Sequence, residues 1–305
     1  LTPAASQPPN AQFQGKECIM FVTVNGQRLF FDVLGEKLAL DGPRMREKPT
    51  LIVMHGGPGF DHSAMRPDFD HFADMAQVIY FDHRGNGRSW PSPTATWTLA
   101  QWGDDVKGLC DVLGIDKPIV FGQSFGGMVA QSYATRHPGH PRAVVFSSTA
   151  ARMDLPASLA LFEKKGGAHA RRIAHDFWTE GSDAQFDEYM QKVMPLYNTK
   201  PRAGGDDARA RAVMRREVYR HFSLPGGELH AMDFRKSLAR VSCPALVLAG
   251  EEDPITPPHL ASEIASSLPR GARLEIFDAC GHGAFRDDGA RVFPVIRAFV
   301  AAQSS

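Results

Sequence analysis

Three residues, each just past the end of a short apolar run, have the types needed to split an acyl bond: Ser124, Asp253 and His282. The serine sits in Ile119-Val120-Phe121-Gly122-Gln123-Ser124-Phe125-Gly126-Gly127, a β-rich run entering a Gly-x-Ser-x-Gly turn. A serine lifted onto such a turn holds a strained backbone, and the flanking glycines give clearance where strand and helix approach. Its hydroxyl then lies at a helix N-terminus, where the dipole favours developing negative charge. Ala245 to Ala249 is a second buried-type run, followed by Glu251-Glu252-Asp253-Pro254. Asp253 is the candidate to orient a base, with Glu251 and Glu252 as rivals. A third run ends at Phe277, and Ala279-Cys280-Gly281-His282-Gly283 follows it. A histidine between glycines can swing toward a serine, take its proton and return it to a leaving group.

Acyl transfer also needs two N–H donors aimed at the oxyanion of the tetrahedral intermediate. His55-Gly56-Gly57-Pro58-Gly59, directly after Leu51 to Met54, is a loop whose backbone can approach a ligand closely. We assign one donor to Gly57 and the other to Phe125, the residue after the serine. His55 comes too early for the order Ser…Asp…His and is expected to fix the loop by hydrogen bonding.

The elements that must hold these groups follow from the same pattern. Cys18 to Val24 and Arg28 to Val33 flank an Asn25-Gly26 turn and predict an antiparallel pair. Apolar, β-branched runs then recur at Leu51 to Met54, Val78 to Phe81, Ile119 to Phe121, Ala143 to Phe146, Ala245 to Ala249 and Leu274 to Phe277. Strands that are apolar on both faces belong to a covered parallel sheet. Helices are expected between them, at Leu99 to Leu113 after Thr98 and at Met128 to Arg136. This predicts an α/β fold with a mostly parallel eight-stranded sheet and helices on both faces. From 151 to 240 no strand-like run occurs, and Gly166-Gly167, Gly204-Gly205 and Pro225-Gly226-Gly227 divide the stretch into helical pieces. It reads as a helical cap inserted into a core of residues 16–150 and 241–305, after a flexible segment at 1–15.

Bulk composition narrows the partners. The chain has 305 residues, 34 Lys+Arg and 34 Asp+Glu, so no basic excess points to nucleic acid or an anionic membrane. No apolar run reaches the length of a membrane span. A small molecule or short peptide is the expected substrate. The four cysteines are widely separated, with no Cys-x-x-Cys pair and no metal-ligand spacing. Reduced thiols in a cytoplasmic protein are the expectation, with neither metal nor cofactor required.

With these residues in place, the chain resembles the α/β-hydrolase superfamily over nearly its whole length. More narrowly it is similar to the prolyl aminopeptidase (proline iminopeptidase) group. His55-Gly56-Gly57-Pro58-Gly59 carries that likeness, together with Asp82-His83-Arg84-Gly85-Asn86-Gly87-Arg88-Ser89. Asp82 and Arg84 are expected to tie down the second loop rather than to react. The resemblance implies release of an N-terminal residue, often proline, from short peptides or amides, with cap carboxylates holding the substrate's ammonium. Glu217 and Glu228, late in the cap beside Val218, Phe222 and Leu224, are the candidates for that contact. The form Gly-Gln-Ser-Phe-Gly-Gly is also common in esterases, so a carboxylesterase or lactonase remains the alternative. Hydrolases of this fold that act on epoxides or haloalkanes use a carboxylate at the elbow, and Ser124 argues against both.

Overall fold

In a computed structural model, residues 20–201, 205–269 and 272–303 are described. Ten strands are present among the described residues: β1 (Phe21–Val24), β2 (Gln27–Leu34), β3 (Leu38–Asp41), β4 (Arg44–Glu47), β5 (Thr50–Met54), β6 (Gln77–Phe81), β7 (Ile119–Gln123), β8 (Ala143–Ser147), β9 (Ala245–Gly250) and β10 (Arg273–Phe277). Eight of them form one sheet in the order β1-β2-β6-β5-β7-β8-β9-β10. The β1/β2 and β2/β6 pairs are antiparallel, and every other pair in this sheet is parallel. The six apolar runs thus fall on six of its strands. The predicted opening pair forms too, turning on Asn25 and Gly26, both with positive φ. Cys18 and the segment 1–15 lie outside the described residues.

Alternation along the strands explains why the sheet is covered twice. Ile52, Met54, Ile79, Phe81 and Val120 enter one buried cluster, while Leu51, Val53, Val78, Tyr80, Ile119 and Phe121 enter another. Each such side chain fully buried contributes about 1.5–3 kcal/mol. The first face packs α1 (Leu99–Leu113), α2 (Phe125–Arg136) and α8 (Pro258–Ser267); the second packs α9 (Ala284–Asp287), α10 (Gly289–Ala301) and the turns carrying Phe69 and Phe72. Helix α1 runs as the sequence predicts. The Thr98 hydroxyl accepts from the Gln101 N–H at 3.0 Å to start it, and Gly114 at φ 65° ends it. Helix α2 begins three residues before the expected Met128, because the turn after β7 leaves no loop between serine and helix.

Between β8 and β9 the described residues contain helices and turns and no strand: α3 (Leu155–Thr179), α4 (Asp183–Lys192), α5 (Gly205–Arg211), α6 (Arg216–Ser223) and α7 (Glu228–Ala231). Of the predicted breaks, Gly167 kinks α3, and Gly204 lies outside the described residues. Phe162, Phe177, Phe186, Tyr189 and Tyr219 give this insertion its own buried aromatic centre. One element is missing from the sequence reading, the separate β3/β4 hairpin. Seven of its eight residues are exposed, so it shows none of the buried runs that mark the main sheet.

Candidate active site

The strand-to-helix turn after β7 sets Ser124 at φ 56° and ψ −120°, a conformation L-residues rarely adopt. Two contacts hold it there: the Ser124 N–H donates to Ser147 O at 2.9 Å, and the Thr149 hydroxyl donates to Ser124 O at 2.7 Å. The flanking glycines are steric necessities. A Cβ on Gly122 would meet Gly126 O at 2.4 Å, and one on Gly126 would meet His55 O at 2.5 Å. Strand and helix therefore touch through backbone alone.

Three loops from the C-terminal ends of β7, β9 and β10 bring the predicted residues together. Ser124 Oγ lies 2.8 Å from His282 Nε2, and His282 Nδ1 lies 2.9 and 3.0 Å from the two Asp253 oxygens. All three residues are buried. Asp253 also accepts from the Ile255 and Thr256 N–H groups at 2.9 Å each and from the Thr256 hydroxyl at 2.8 Å. Burial opposes its charge, but the His282 ring and the Thr256 donors outweigh burial and hold the carboxyl below its ordinary range. An ionised carboxylate only accepts, so Nδ1 is the donor and Nε2 is left to accept from the serine hydroxyl. Of the three adjacent acids Asp253 is the one against His282: Glu251 and Glu252 are exposed, while Asp253 has no exposed surface.

The glycine loop passes beside the serine. A carbon added to Gly56 would lie 3.7 Å from Ser124 Oγ. Phe125 opens α2, and among the described residues neither its N–H nor that of Gly57 has an acceptor. His55 fixes this loop: its Nδ1 lies 2.8 Å from Gly56 O and its Nε2 accepts from the His83 N–H at 3.1 Å. Burial pushes the His55 imidazole below its ordinary pKa, which keeps it neutral and lets one nitrogen donate while the other accepts. The loop after β6 is anchored as expected. Arg84 pairs with both Asp105 oxygens at 2.7 Å, and Asp82 accepts from the His62 and Arg88 N–H groups at 2.9 and 2.8 Å. Asp61, His62 and Asp82 bring possible metal-ligating atoms within 4.8 Å of one another. Their carboxylates are occupied by protein donors, Arg88 and Ser63 on Asp61 and His62 on Asp82.

The helical insertion covers the site from above. The Arg215 N–H donates to Gly59 O at 2.7 Å, and the Val213 N–H donates to the Asp61 carboxylate at 3.2 Å. Between insertion and loop lies a small cavity of about 40 Å³ lined by Gly57 and Pro58 from the core. Its far wall is apolar and aromatic, with Phe177, Trp178, Tyr189, Tyr197, Met214 and Tyr219 among its residues, and no lining residue is charged. Neither proposed cap carboxylate reaches this space. Glu217 is exposed on the first turn of α6. Glu228 Oε2 instead accepts from the Leu99 N–H at 2.7 Å, covering the start of α1, and burial raises its pKa. Buried apolar neighbours surround both residues in sequence. On a helix those neighbours face the core while Glu217 turns outward.

Several residues at the site carried no sequence signal. Thr256 grips the acid three positions after it, and the cavity aromatics are spread over four helical pieces with no common motif. Asp287 could have been noticed as an acid five residues past the histidine.

The fold agrees with what is found among known proteins. A profile of the alpha/beta hydrolase fold matches residues 49–288. A proline iminopeptidase of Pestalotiopsis fici is 27% identical over 291 residues, covering 92% of this chain and 98% of that one. The solved proline iminopeptidase of Mycobacterium smegmatis superposes with a TM-score of 0.75 at 22% identity, over 94% of this chain and 98% of its own. The enol-lactonase of Burkholderia xenovorans superposes with a TM-score of 0.64 at 24% identity, over 93% and 100%. With most of its length matched by the family profile, this chain belongs to the α/β-hydrolase fold family.

Proposed function

We propose that the protein hydrolyses small amides or esters through an acyl-enzyme, with Ser124 as nucleophile, His282 as base and then acid, and Asp253 orienting the ring. The observation that carries this reading is the unbroken relay from Ser124 Oγ to His282 at 2.8 Å and on to Asp253 at 2.9 Å. Ser124 Oγ attacks the carbonyl carbon while Nε2 takes its proton. The Phe125 and Gly57 N–H groups receive the oxyanion, and the histidine returns the proton to the leaving amine or alcohol. Water repeats the sequence on the acyl-enzyme and restores the serine.

The likeness to proline iminopeptidases supports release of an N-terminal proline or other small residue from a short peptide or amide. The ring faces of the cavity can accept a small ammonium by cation–π attraction. One observation favours a carboxylesterase or lactonase instead: no carboxylate lines the cavity, so a neutral acyl group is accommodated without an unpaired charge. A panel of L-proline p-nitroanilide, its N-acetyl form and p-nitrophenyl butyrate separates these readings. Turnover of only the free-amine anilide supports the aminopeptidase, and turnover of the ester with neither anilide supports the esterase. A fluorophosphonate that leaves Ser124 unmodified in every condition refutes both.

A further inference from the structure

The histidine loop is bonded to the helical insertion more heavily than a simple lid requires. The His282 N–H donates to Tyr197 O at 2.8 Å, and Asn198 Nδ2 donates to His282 O at 3.0 Å. The chain on either side of the histidine is therefore held by two consecutive residues of the insertion. A Cβ on Gly281 would lie 2.0 Å from Tyr197 O, so the two backbones meet with no side chain between them.

One buried carboxylate joins both sides of this seam. Asp287 Oδ2 accepts from the Gly281 N–H at 2.7 Å and from Asn198 Nδ2 at 3.1 Å. Its Oδ1 accepts from the Thr199 and Lys200 N–H groups, each at 3.1 Å. One oxygen thus holds the residue before the histidine, and the other holds the insertion strap. Asn198 closes the ring, since its amide reaches both His282 O and Asp287. At 8% exposure, Asp287 makes these bonds largely away from water, where charge-assisted hydrogen bonds are strongest.

We propose that Asp287 is a positioning residue that couples seating of the insertion to placement of the His282 ring. It touches neither serine nor cavity, and it acts through Gly281 and Asn198. Opening the insertion at Tyr197–Lys200 draws the histidine loop away from Ser124, so the base is correctly placed only when the substrate is covered. An open site then does not expose a competent serine–histidine pair to water.

This inference rests on the triad reading above, and its test keeps the two apart. The rate of Ser124 labelling by a fluorophosphonate is resolved into its maximal rate and half-saturating concentration, and amide hydrogen exchange is followed in parallel. Asp287→Asn places an NH₂ against existing donors. It is expected to lower the maximal labelling rate by about 10- to 100-fold, with half-saturation changed by less than about threefold, because a misplaced base slows chemistry more than binding. The amides of His282, Thr199 and Lys200 should exchange faster together. Asn198→Ala, which leaves the carboxylate in place, should give a smaller change of the same kind, and the double variant should fall no further than the worse single. Unlabelled Ser124 in the parent chain refutes the triad reading, while the exchange arm still tests the coupling. Parental labelling rates in Asn198→Ala together with independent exchange of the two segments overturn the inference, even if Asp287→Asn fails to fold. Loss of thermal stability with parental labelling kinetics in a folded Asp287→Asn overturns it equally.

Discussion

Replacing Asp253 by asparagine tests the relay at its most informative point. Oδ1 accepts two backbone N–H groups, from Ile255 and Thr256, and lies 3.0 Å from His282 Nδ1, while Oδ2 accepts the Thr256 hydroxyl and is the nearer to Nδ1, at 2.9 Å. An asparagine oxygen will stay where the two rigid N–H donors point, which puts its NH₂ in the place of Oδ2. The Thr256 hydroxyl can rotate to accept from that NH₂, but His282 Nδ1 can accept only by giving up its own proton. The ring then carries hydrogen on Nε2, which donates to Ser124 Oγ and can no longer receive its proton. Substituting this acid in a comparable triad lowers kcat by about 10⁴-fold through the same wrong tautomer, equivalent to roughly 5 kcal/mol in the barrier. KM should move by no more than a few-fold, since Asp253 is fully covered and is not among the residues that line the cavity. The assay is steady-state hydrolysis of whichever panel substrate is turned over, with circular dichroism to establish folding. A folded Asp253→Asn chain that keeps kcat within about tenfold of the parent refutes the tautomer argument. Stability carries a second signature. The folded Asp253 pKa is depressed, so its contribution is present above the unfolded value of about 4 and is lost as pH falls through the lower folded value. Acid titration of stability should therefore be shallower in the asparagine variant below about pH 4.

Gly126→Ala pushes a methyl into His55 O and Met54 O, backbone atoms that cannot step aside, and should cost about 3 kcal/mol or more, read as a lowered urea midpoint. Glu228→Ala removes the acceptor for the Leu99 N–H and should cost about 0.5–2 kcal/mol of stability. The same variant should leave kcat/KM unchanged, and a large loss of kcat/KM for free-amine substrates alone would return Glu228 to substrate binding. Met214→Ala enlarges the cavity beside Gly59 and should shift preference toward bulkier acyl groups, measured as the ratio of kcat/KM for p-nitrophenyl hexanoate and acetate. An unchanged ratio would place the acyl group elsewhere.

The sequence alone determined the sheet, the elbow and the order Ser124, Asp253, His282 along the chain. Buried parallel strands are written as short apolar runs, and a serine on a strained turn requires glycines at fixed offsets, so both leave local marks. Helix α1 was legible for the same reason, its start and stop being set by Thr98 and Gly114 within the helix's own neighbourhood. Tertiary structure alone decided which of three adjacent acids is buried against His282, and that Glu228 reaches the first N–H of α1. It also assembled the aromatic cavity and the four bonds on Asp287 from segments far apart in the chain. Such long-range contacts depend on how the insertion is seated over the sheet, and no periodicity or spacing in the chain encodes that placement locally.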